Sequence, residues 1–510
     1  MNTMSFPSVK ANGLVLILGL GETGLAAALW CVEHGARLRV LDTRDEPAAL
    51  AMLRAGLGAE ADFDCRLGAG ALTEDALCDV QQIVISPGLS PLHEPVASFL
   101  ALAAARNIEV IGEIELFARA LADMAAQGYQ PRVLAVTGTN GKTTVTVMTR
   151  QLVQASGLSA RAAGNISPAA LTALREALAA DDLPDVWVLE LSSFQLETTQ
   201  SLAPDAAVVL NVTQDHLDWH GSMQAYAAAK AKLLHASKVV VVNRGDPLVC
   251  AMVADINATD VRSFGRDAPS SVGDFGIENS HDMRWLVAAE AADFDAPKTT
   301  TRRKKPVAKP QRPEGRLTRL MPVDALRVRG MHNALNAMAA LALARALGLG
   351  WADMLRALRD YGGEPHRTEF IQTIGGIDFV NDSKGTNVGA TVAALEGMDQ
   401  KAVLIAGGLG KGQDFSPLAK AVKEHARAVV LIGRDGPLIE QALADAAVPM
   451  QRAQSLEQAI AQCFALARQG DVVLLSPACA SMDMFKNYRH RGAAFVEAVY
   501  ALARDKGEVA

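Results

Sequence analysis

The chain has 510 residues, of which 50% are hydrophobic and 21% are charged, and its formal net charge is −7. This length exceeds one ordinary hydrophobic core and predicts two or three domains, while the negative charge argues against a general nucleic-acid or membrane binder. The six cysteines are widely spaced and include no CxxC pair, which is typical of reduced thiols rather than of a disulfide framework or a zinc site. We expect a cytoplasmic protein.

Short apolar runs bounded by turn residues alternate with longer stretches of helical period. Three series of predicted strands lie at residues 14–18, 38–41, 83–85 and 110–111; at 133–136, 186–189, 207–210 and 239–242; and at 402–405, 429–432 and 472–475. Strands that alternate with helices predict parallel sheets covered on both faces. The fold class is therefore predicted to be α/β, with one sheet for each series. Glu22 and three glycines interrupt the apolar stretch 14–32, so a membrane span or a secretory signal is not expected there.

The first predicted strand runs into the glycine-rich turn GLGETG at residues 19–24, and Asp42 ends the next strand. This spacing fits the dinucleotide fingerprint, in which a diphosphate lies on a helix N-terminus and an acid binds a ribose. Taken alone, the pattern favours NAD. A sugar nucleotide satisfies the same two requirements, so both ligands are open at this point.

The second series opens with a strand that is followed by TGTNGKTT at residues 137–144. Glycines let backbone N–H groups turn towards a phosphate, the following helix adds positive potential, and Lys142 supplies a cation. The hydroxyl of Thr143 then lies beside the lysine, where it can ligate Mg²⁺. The usual pattern has a glycine five residues before Gly141, where this chain has Val136. A generic turn does not account for the lysine and threonines, so the segment predicts a nucleotide-phosphate site.

Candidate metal ligands follow two further strands of this series. Glu190 stands at the carboxyl end of its strand, where parallel sheets bind ligands, and it can face a Mg²⁺ ion held by Thr143. His216 follows the next strand; a lone histidine is more often structural, and Mg²⁺ prefers oxygen ligands. Three strand-end clusters in one sheet nevertheless favour a site. By composition alone, Lys230 is an exposed helix lysine, because an ammonium group cannot ligate a cation.

One segment differs in composition from the alternating strands and helices predicted elsewhere. Residues 298–319 contain nine basic residues and one acid, with three prolines spaced among them. Such composition predicts a solvated, flexible loop inserted in a folded domain. A binding segment for acidic partners is the weaker alternative.

Taken together, these motifs resemble the Mur ligases of bacterial cell-wall synthesis. The stretches that carry the resemblance are residues 138–144, 189–195, 211–218, 330–336, 365–367, 381–387 and 475–487. They span nearly the whole chain. The loop TNGKTT alone also fits folylpolyglutamate synthases, whereas DTR at 42–44, NDSKGTN at 381–387 and SPACAS at 476–481 are similar to the branch that adds D-glutamate.

The resemblance implies a UDP-substrate-binding domain at 1–112 and a central ATP-binding domain of the P-loop type at 113–363, which contains the basic insertion. A C-terminal amino-acid-binding domain at 364–510 follows, and the two outer domains are expected to be Rossmann-like. The implied enzyme is an ADP-forming, ATP-dependent ligase with two Mg²⁺ ions. It would add D-glutamate to UDP-N-acetylmuramoyl-L-alanine through an acyl phosphate, in the synthesis of peptidoglycan precursors. We expect a monomer.

The resemblance also implies roles for single residues. Contacts to ATP are expected from Gly138, Thr139, Asn140, Gly141, Lys142, Thr143, Thr144, Asn333, Asn336, His366, Arg367, Asp382 and Lys384. Contacts to the UDP substrate are expected from Glu22, Thr23, Asp42, Thr43, Arg44, Ser86, Gly88 and Asn165. Contacts to D-glutamate are expected from Thr386, Lys411, Ser481 and Tyr488, the last in place of a phenylalanine. The implied metal ligands are Thr143, Glu190, His216 and Lys230 as a carbamate, and the implied catalytic residues are Lys142, Glu190, His216 and Lys230.

Three other functions compete with this interpretation. An NAD-dependent dehydrogenase would use residues 19–24 but leaves residues 138–144 unexplained. A regulatory P-loop NTPase would use the second loop but ignores the C-terminal clusters. Another Mur-type or a folylpolyglutamate-type ligase remains open within the family, although the residues at 42–44 speak against the latter.

Overall fold

A computed structural model describes residues 4–58, 63–257, 260–291 and 312–508. Within them lie three separate sheets of five, nine and six strands, all mostly parallel and flanked by helices. The predicted α/β fold class with three sheets is confirmed. The exact domain boundaries after residues 112 and 363 stay predictions.

The first sheet has the strand order β3-β2-β1-β4-β5, and all its pairings are parallel. Its strands are β1 (Leu14–Leu18), β2 (Arg37–Asp42), β3 (Asp64–Leu67), β4 (Val80–Ile85) and β5 (Glu109–Ile111). Its helices are α1 (Glu22–Glu33), α2 (Ala49–Leu57), α3 (Val96–Ala105) and α4 (Glu113–Ala125). Every residue of β1 is buried, as expected for a central strand with both faces covered. Because the order reverses beside β1, the turn at 19–24 opens at the switch point of the sheet.

The second sheet has the order β14-β13-β12-β11-β10-β9-β6-β8-β7. Its strands are β6 (Arg132–Thr137), β7 (Ala160–Gly164), β8 (Val186–Glu190), β9 (Ala206–Val209), β10 (Val239–Asn243), β11 (Val261–Phe264), β12 (Phe275–Ser280), β13 (Met283–Glu290) and β14 (Arg316–Pro322). Its helices are α5 (Lys142–Ala155), α6 (Ala170–Ala179), α7 (Ser193–Glu197), α8 (Leu217–His220), α9 (Met223–His235), α10 (Pro247–Ala251), α11 (Met331–Ala346) and α12 (Trp351–Asp360). β6 lies between β8 and β9, so the loop after it is central to this edge.

The third sheet has the order β15-β16-β20-β17-β18-β19, in which only the β15–β16 pair is antiparallel among the described pairings. Its strands are β15 (Glu369–Ile374), β16 (Ile377–Asn381), β17 (Ala402–Gly407), β18 (Ala426–Ile432), β19 (Met450–Arg452) and β20 (Val472–Leu475). Its helices are α13 (Val388–Gly397), α14 (Leu418–His425), α15 (Gly436–Ala442), α16 (Leu456–Leu466) and α17 (Tyr488–Asp505).

The first two sheets are held together by one hydrophobic core that contains residues of α1, α4, α6, β6 and β8. At its centre Phe117 of α4 contacts Trp187 of β8 edge-on, with ring centroids 5.3 Å apart at 83°. Such T-shaped pairs stabilise beyond the area that they bury. The relative position of the two sheets therefore rests on buried apolar contact.

The basic segment is not a loop throughout. Residues 298–311 lie outside the described residues, but residues from Arg316 onward form β14, which pairs antiparallel with β13. Arg312 forms a buried ion pair with Asp274, whose carboxylate also accepts the Ser263 amide at 2.6 Å. The loop prediction is therefore wrong for the end of the segment, because its arginines have acidic partners on β12 and beside it.

No helix among the described residues is long and apolar enough to cross a membrane.

We expect Arg312→Ala to destabilise the central domain by about 2–4 kcal/mol, because the buried Asp274 carboxylate loses its cation. Thermal unfolding of the full chain measures this as a lower melting temperature. Arg319→Ala is the matched control, since its ion pair with Glu278 is solvent-exposed and should matter little. Equal melting temperatures for the two variants would contradict a structural role of Arg312.

Candidate active site between the central and C-terminal sheets

The loop after β6 has the shape of a phosphate cradle. Gly138 and Gly141 have φ angles of +148° and +86°, in the region that favours glycine. The loop is fixed from the neighbouring strand end: the Thr139 amide donates to the Asn211 carbonyl at 2.9 Å, and the Asn140 amide donates to the Asn211 side-chain oxygen at 2.8 Å. α5 begins at Lys142, so the positive end of this helix faces the same space.

Two lysines converge on one carbonyl beneath this loop. Lys142 Nζ donates to the Gly138 and Thr139 carbonyls at 2.9 Å each, and Lys230 Nζ donates to the Gly138 carbonyl at 3.1 Å. Burial lowers the pKa of the Lys142 ammonium and lowers that of Lys230 well below its usual value, the latter helped by the nearby Lys142 charge. Lys230 is 1% exposed, so the composition-based expectation of a surface lysine is wrong. It belongs to the base of the phosphate loop.

Glu190, at the end of β8, organises the wall opposite the loop. Its two oxygens accept hydrogen bonds from Thr143 Oγ1 and from Asn165 Nδ2, both at 2.7 Å. Arg367, from the C-terminal side, donates to the same Thr143 hydroxyl. A carboxylate and a hydroxyl in contact form the donor set that Mg²⁺ prefers. Thr143 and Glu190, two of the four predicted metal ligands, therefore lie together, and their chemistry fits that ion.

His216 lies on a loop in the left-handed conformation, with φ of +54°, immediately before α8. Its Nε2 is 3.6 Å from the Asp215 carboxylate, and its ring contacts Phe194 edge-on. Desolvation lowers the pKa of His216, against the opposing effect of Asp215. A neutral imidazole is the form that ligates a metal. Among the described residues, no group of three or more His, Cys, Asp or Glu side chains forms a ready-made metal cluster.

The C-terminal sheet supplies the facing wall. Lys384 Nζ lies 3.9 Å from the centroid of the Tyr488 ring, and burial followed by the Arg367 charge lowers its pKa to about 8. Asp382 is buried, which raises its pKa to about 7, although Ser476 Oγ and the Thr368 amide donate to it at 2.7 and 3.2 Å. The two groups differ in direction because burial disfavours whichever form is charged.

These walls enclose two connected spaces. The larger is a cleft of about 670 Å³. Of the predicted site residues, its lining includes Thr139, Asn140, Gly141, Lys142, Thr143, Asn165, Glu190, His216, His366, Arg367, Lys384, Thr386, Lys411 and Tyr488. The smaller, of about 250 Å³, includes Thr144, Asn333, Asn336 and Asp382 besides residues of the first. Ser481 is buried and does not line the cleft, although its neighbour Ala480 does.

The residues predicted to hold the UDP end lie apart, at the switch point of the first sheet. The Asp42 carboxylate accepts the Leu20 amide at 2.7 Å and the Arg44 guanidinium at 2.7 and 2.8 Å. These contacts outweigh burial and hold the pKa of Asp42 below its usual value. Ser86 Oγ donates to the Gly19 carbonyl at 2.6 Å. Thr43 and the exposed Gly88 flank this site, and Thr23 lies within the turn, at the start of α1.

A direct contact connects the first sheet with the cleft. Ser167, which lines the cleft, donates to the Glu22 carboxylate at 3.0 Å. Glu22 thus lies between the first sheet and the cleft.

Several residues of the site carried no prediction, among them Asp215, Asn387 and His332. The negative charge of Asp215 acts to raise the pKa of both Lys142 and Lys230. Asn387 forms hydrogen bonds to the phosphate loop, and His332 lines the smaller space. All three lie within stretches that carried the family resemblance, but nothing local distinguished them from their neighbours. Only the packing of the C-terminal sheet against the phosphate loop brings them together.

Comparison with known families covers most of the chain. Residues 13–112 match the Mur ligase MurD-like N-terminal domain, residues 136–344 the Mur ligase middle domain, and residues 366–479 the Mur ligase glutamate ligase domain. The chain therefore belongs to the Mur ligase family, and it is a ligase enzyme. The predicted family and enzyme class are confirmed.

Within the Mur ligase family, the chain is similar to proteins of one name. The chain is 66% identical, over 97% of each chain, to UDP-N-acetylmuramoylalanine–D-glutamate ligase of Bordetella avium. It is 57% identical, over 98% of each chain, to the protein of the same name from Ralstonia nicotianae. A crystal structure of MurF from Acinetobacter baumannii superposes with a TM-score of 0.56 at 16% identity, covering 97% of this chain and 93% of that one, which supports the fold.

We expect Gly141→Ala to weaken binding of ATP at least tenfold. The new Cβ would lie 2.6 Å from Asn336 Oδ1, so either the loop or the Asn336 amide beside the smaller space must shift. Gly157→Ala is the control: its φ of +89° imposes the same backbone cost of about 1–2 kcal/mol, but no heavy atom lies within 4 Å of the added carbon. ATP-dependent thermal shifts compare the two variants. Unchanged ATP affinity in Gly141→Ala would contradict the phosphate-loop assignment.

Proposed function

We propose that this protein is the ATP-dependent ligase that joins D-glutamate to UDP-N-acetylmuramoyl-L-alanine in the synthesis of peptidoglycan precursors. One observation carries the proposal: the phosphate loop, Glu190 and the predicted acceptor residues Thr386 and Lys411 line a single cleft. The activity named for relatives that match nearly the whole chain supports it. We also propose a cytoplasmic monomer with domains at 1–112, 113–363 and 364–510.

The nucleotide lies across the loop after β6. Lys142 and the loop amides face its β- and γ-phosphates, and Arg367 and Lys384 approach from the C-terminal side. The smaller space, lined by Asn333, Asn336 and Asp382 among others, takes the nucleoside end. These cations lie around a cavity whose lining also contains Glu190 and Asp215, so a polyanionic ligand relieves mutual repulsion among them.

The contact between Thr143 and Glu190 supports a Mg²⁺ site. Of the two Mg²⁺ ions in the proposal, Thr143 and Glu190 would hold one, and His216 together with a carbamate on Lys230 would hold the other. When bound, Mg²⁺ neutralises negative charge on the phosphates and on the acyl group. Asn165, which donates to Glu190, keeps that carboxylate directed at the site and also borders the acyl end of the substrate.

The first sheet binds the UDP end of the acceptor substrate. Arg44 is paired with Asp42 yet exposed, so its guanidinium is held in place at the mouth of the site. NAD binding fits less well, because the Asp42 carboxylate that would bind a ribose is already engaged by Leu20 and Arg44. Glu22 and Ser167 then lie on the path from this sheet to the cleft.

The reaction has two steps. A carboxylate oxygen of the alanyl group bonds to the γ-phosphorus, the bond to the β-phosphate oxygen breaks, and ADP leaves. The amine nitrogen of D-glutamate then bonds to the acyl carbon, phosphate leaves, and the nitrogen loses a proton. Lys142 and the loop amides stabilise the charge that develops on the phosphoryl oxygens. The walls from the C-terminal sheet keep water from the acyl phosphate.

The acceptor amino acid binds against the C-terminal sheet. Lys411 is exposed in the cleft with φ of +52°, and Thr386 lies on the loop after β16. A cation and a hydroxyl suit the two carboxylates of glutamate. The aromatic ring of Tyr488 forms part of the cleft wall. Ser481 is buried behind the residues that line the cleft and contributes to the site without lining it.

The direct test is phosphate release with ATP and UDP-N-acetylmuramoyl-L-alanine across a panel of amino acids. We expect turnover with D-glutamate, and less than about 1% of that rate with L-glutamate or D-alanine, because only a correctly placed amine reaches the acyl carbon. Turnover with folates and L-glutamate instead would identify the folylpolyglutamate-type alternative. Phosphate release that needs no acceptor would favour a regulatory NTPase.

Lys230→Ala is expected to lose more than about 99% of the activity, with partial recovery when acetate is added. A neutral amine reacts with carbon dioxide to give a carbamate and a proton, and the strongly lowered pKa of Lys230 favours that neutral form. Acetate can occupy the vacated space as a substitute carboxylate. Lys230→Phe fills that space and is the control that acetate should not restore. Wild-type activity of Lys230→Ala in carbon-dioxide-depleted buffer would contradict the carbamate.

The affinity for ATP should fall as pH rises above about 8. Lys384 has its pKa lowered to about 8, so below that pH it is a cation that favours phosphate, and above it the charge is lost. Lys384→Arg keeps its charge throughout this range, so its profile should lack this descending limb. Values of kcat/KM for ATP between pH 6.5 and 9.5 provide the comparison. Identical limbs in both proteins would assign the titration to another group.

A further inference from the structure

One side chain of the C-terminal sheet region contacts two loops of the central domain at once. Asn387 Nδ2 donates to Asn140 Oδ1 at 3.1 Å and to the Asp215 carboxylate at 3.2 Å. In return, Asn140 Nδ2 donates to Asn387 Oδ1 at 3.2 Å. Asn140 belongs to the phosphate loop, and Asp215 immediately precedes His216. The contact therefore joins three loops that come from two sheets.

The orientation of the Asn387 amide is fixed from both sides. Its oxygen caps α13 by accepting the Ala390 amide at 2.9 Å, and its nitrogen faces a carboxylate. A rotated amide would place its oxygen against Asp215 and its nitrogen against a backbone donor, which is unfavourable on both counts. Asn387 is 4% exposed, so water does not replace these partners without opening the interface.

The first turn of α13 approaches the central domain closely at the same place. A Cβ added at Gly389 would lie 2.6 Å from Thr213 Oγ1 and 3.0 Å from Thr213 Cβ. No positive φ requires glycine at this helical position. The close approach between the two domains is therefore what the missing side chain permits.

We propose that Asn387 is a positioning residue that docks the acceptor-binding loop onto the phosphate loop. Thr386, the residue before it, lies in the proposed glutamate site, so the docking sets the distance between the incoming amine and the acyl phosphate. This inference rests on the proposed ligase reaction. In this proposal Asn387 does not contact the substrate. It raises the fraction of molecules in which the acceptor-binding loop is docked onto the phosphate loop.

Asn387→Ser tests the proposal, because serine still caps a helix but is too short to bond Asn140 and Asp215. We expect kcat/KM for D-glutamate to fall at least thirtyfold, while the thermal shift produced by UDP-N-acetylmuramoyl-L-alanine without nucleotide stays unchanged. Asn487→Ser is the matched control. Asn487 caps α17 through the His490 amide at 2.9 Å and has no described contact with the central domain.

Two further variants separate docking from folding. Gly389→Ala should reproduce the loss of kcat/KM for D-glutamate without lowering the melting temperature, since alanine stabilises a helix relative to glycine. In Asn387→Asp, the new carboxylate faces Asp215 and activity should fall. Adding Asp215→Asn restores a donor–acceptor pair with the roles exchanged, so the double variant should exceed the product of the two single effects at least fivefold.

The outcomes are distinct. A wild-type protein without turnover would refute the ligase assignment itself. With an active wild type, equal kcat/KM for D-glutamate in Asn387→Ser and Asn487→Ser would overturn the docking role. So would full acceptor kcat/KM in Gly389→Ala, or strictly multiplicative effects in the Asp215 and Asn387 pair.

Discussion

The Gly138 carbonyl, which accepts hydrogen bonds from both Lys142 and Lys230, is the contact around which the cleft is arranged. Burial lowers the pKa of both ammonium groups, and the Lys142 charge lowers that of Lys230 further, so holding two cations at one oxygen here is costly. Glu190 and Asp215 offset part of it. The site is thus prepared for added negative charge, which the proposed ATP and carbamate would supply.

The arrangement persists because the loops that carry several of these groups follow buried strands. β8 and β9 are buried along their whole lengths and β6 is buried from Val133 onward, so Thr143, Glu190 and the Asp215 loop are placed by a core rather than by one another. The exposed Arg132 at the start of β6 lies at the opposite edge. Hydrophobic burial elsewhere in the sheet therefore offsets the free-energy cost of holding like charges close together. Replacing a charged group in the cleft changes its chemistry more than its fold.

Much of this organisation could be predicted from the sequence, because apolar strands followed by glycine, lysine or acid repeat a simple pattern. Strands with weak patterns were missed. β7 reads ARAAG, whose alanines and glycine give little strand signal, and β14 lies within a segment whose charge predicts a loop. The burial of Lys230 could not be predicted, since its helix has no marked apolar face and the pocket that receives it is built by the loop 138–141. Ser481 was assigned by resemblance, and its burial depends on the fold of the neighbouring loop.

The two glycine-rich turns, at residues 19–24 and 137–144, show that local sequence alone does not determine which ligand a turn binds. Both follow a buried strand, open a helix and lie at a switch point, so the same backbone physics serves each. Their difference comes from partners distant in sequence. At the first turn, Asp42 is saturated by Leu20 and Arg44, which leaves an anchored arginine at the mouth. At the second, the hydrogen-bond partners of Lys142 within the described part of the chain are the Gly138 and Thr139 carbonyls, and the lysine faces a wall from another domain. The cleft is lined by residues of both the central and the C-terminal domains, so it is complete only where the two meet, and contacts such as those of Asn387 join them there.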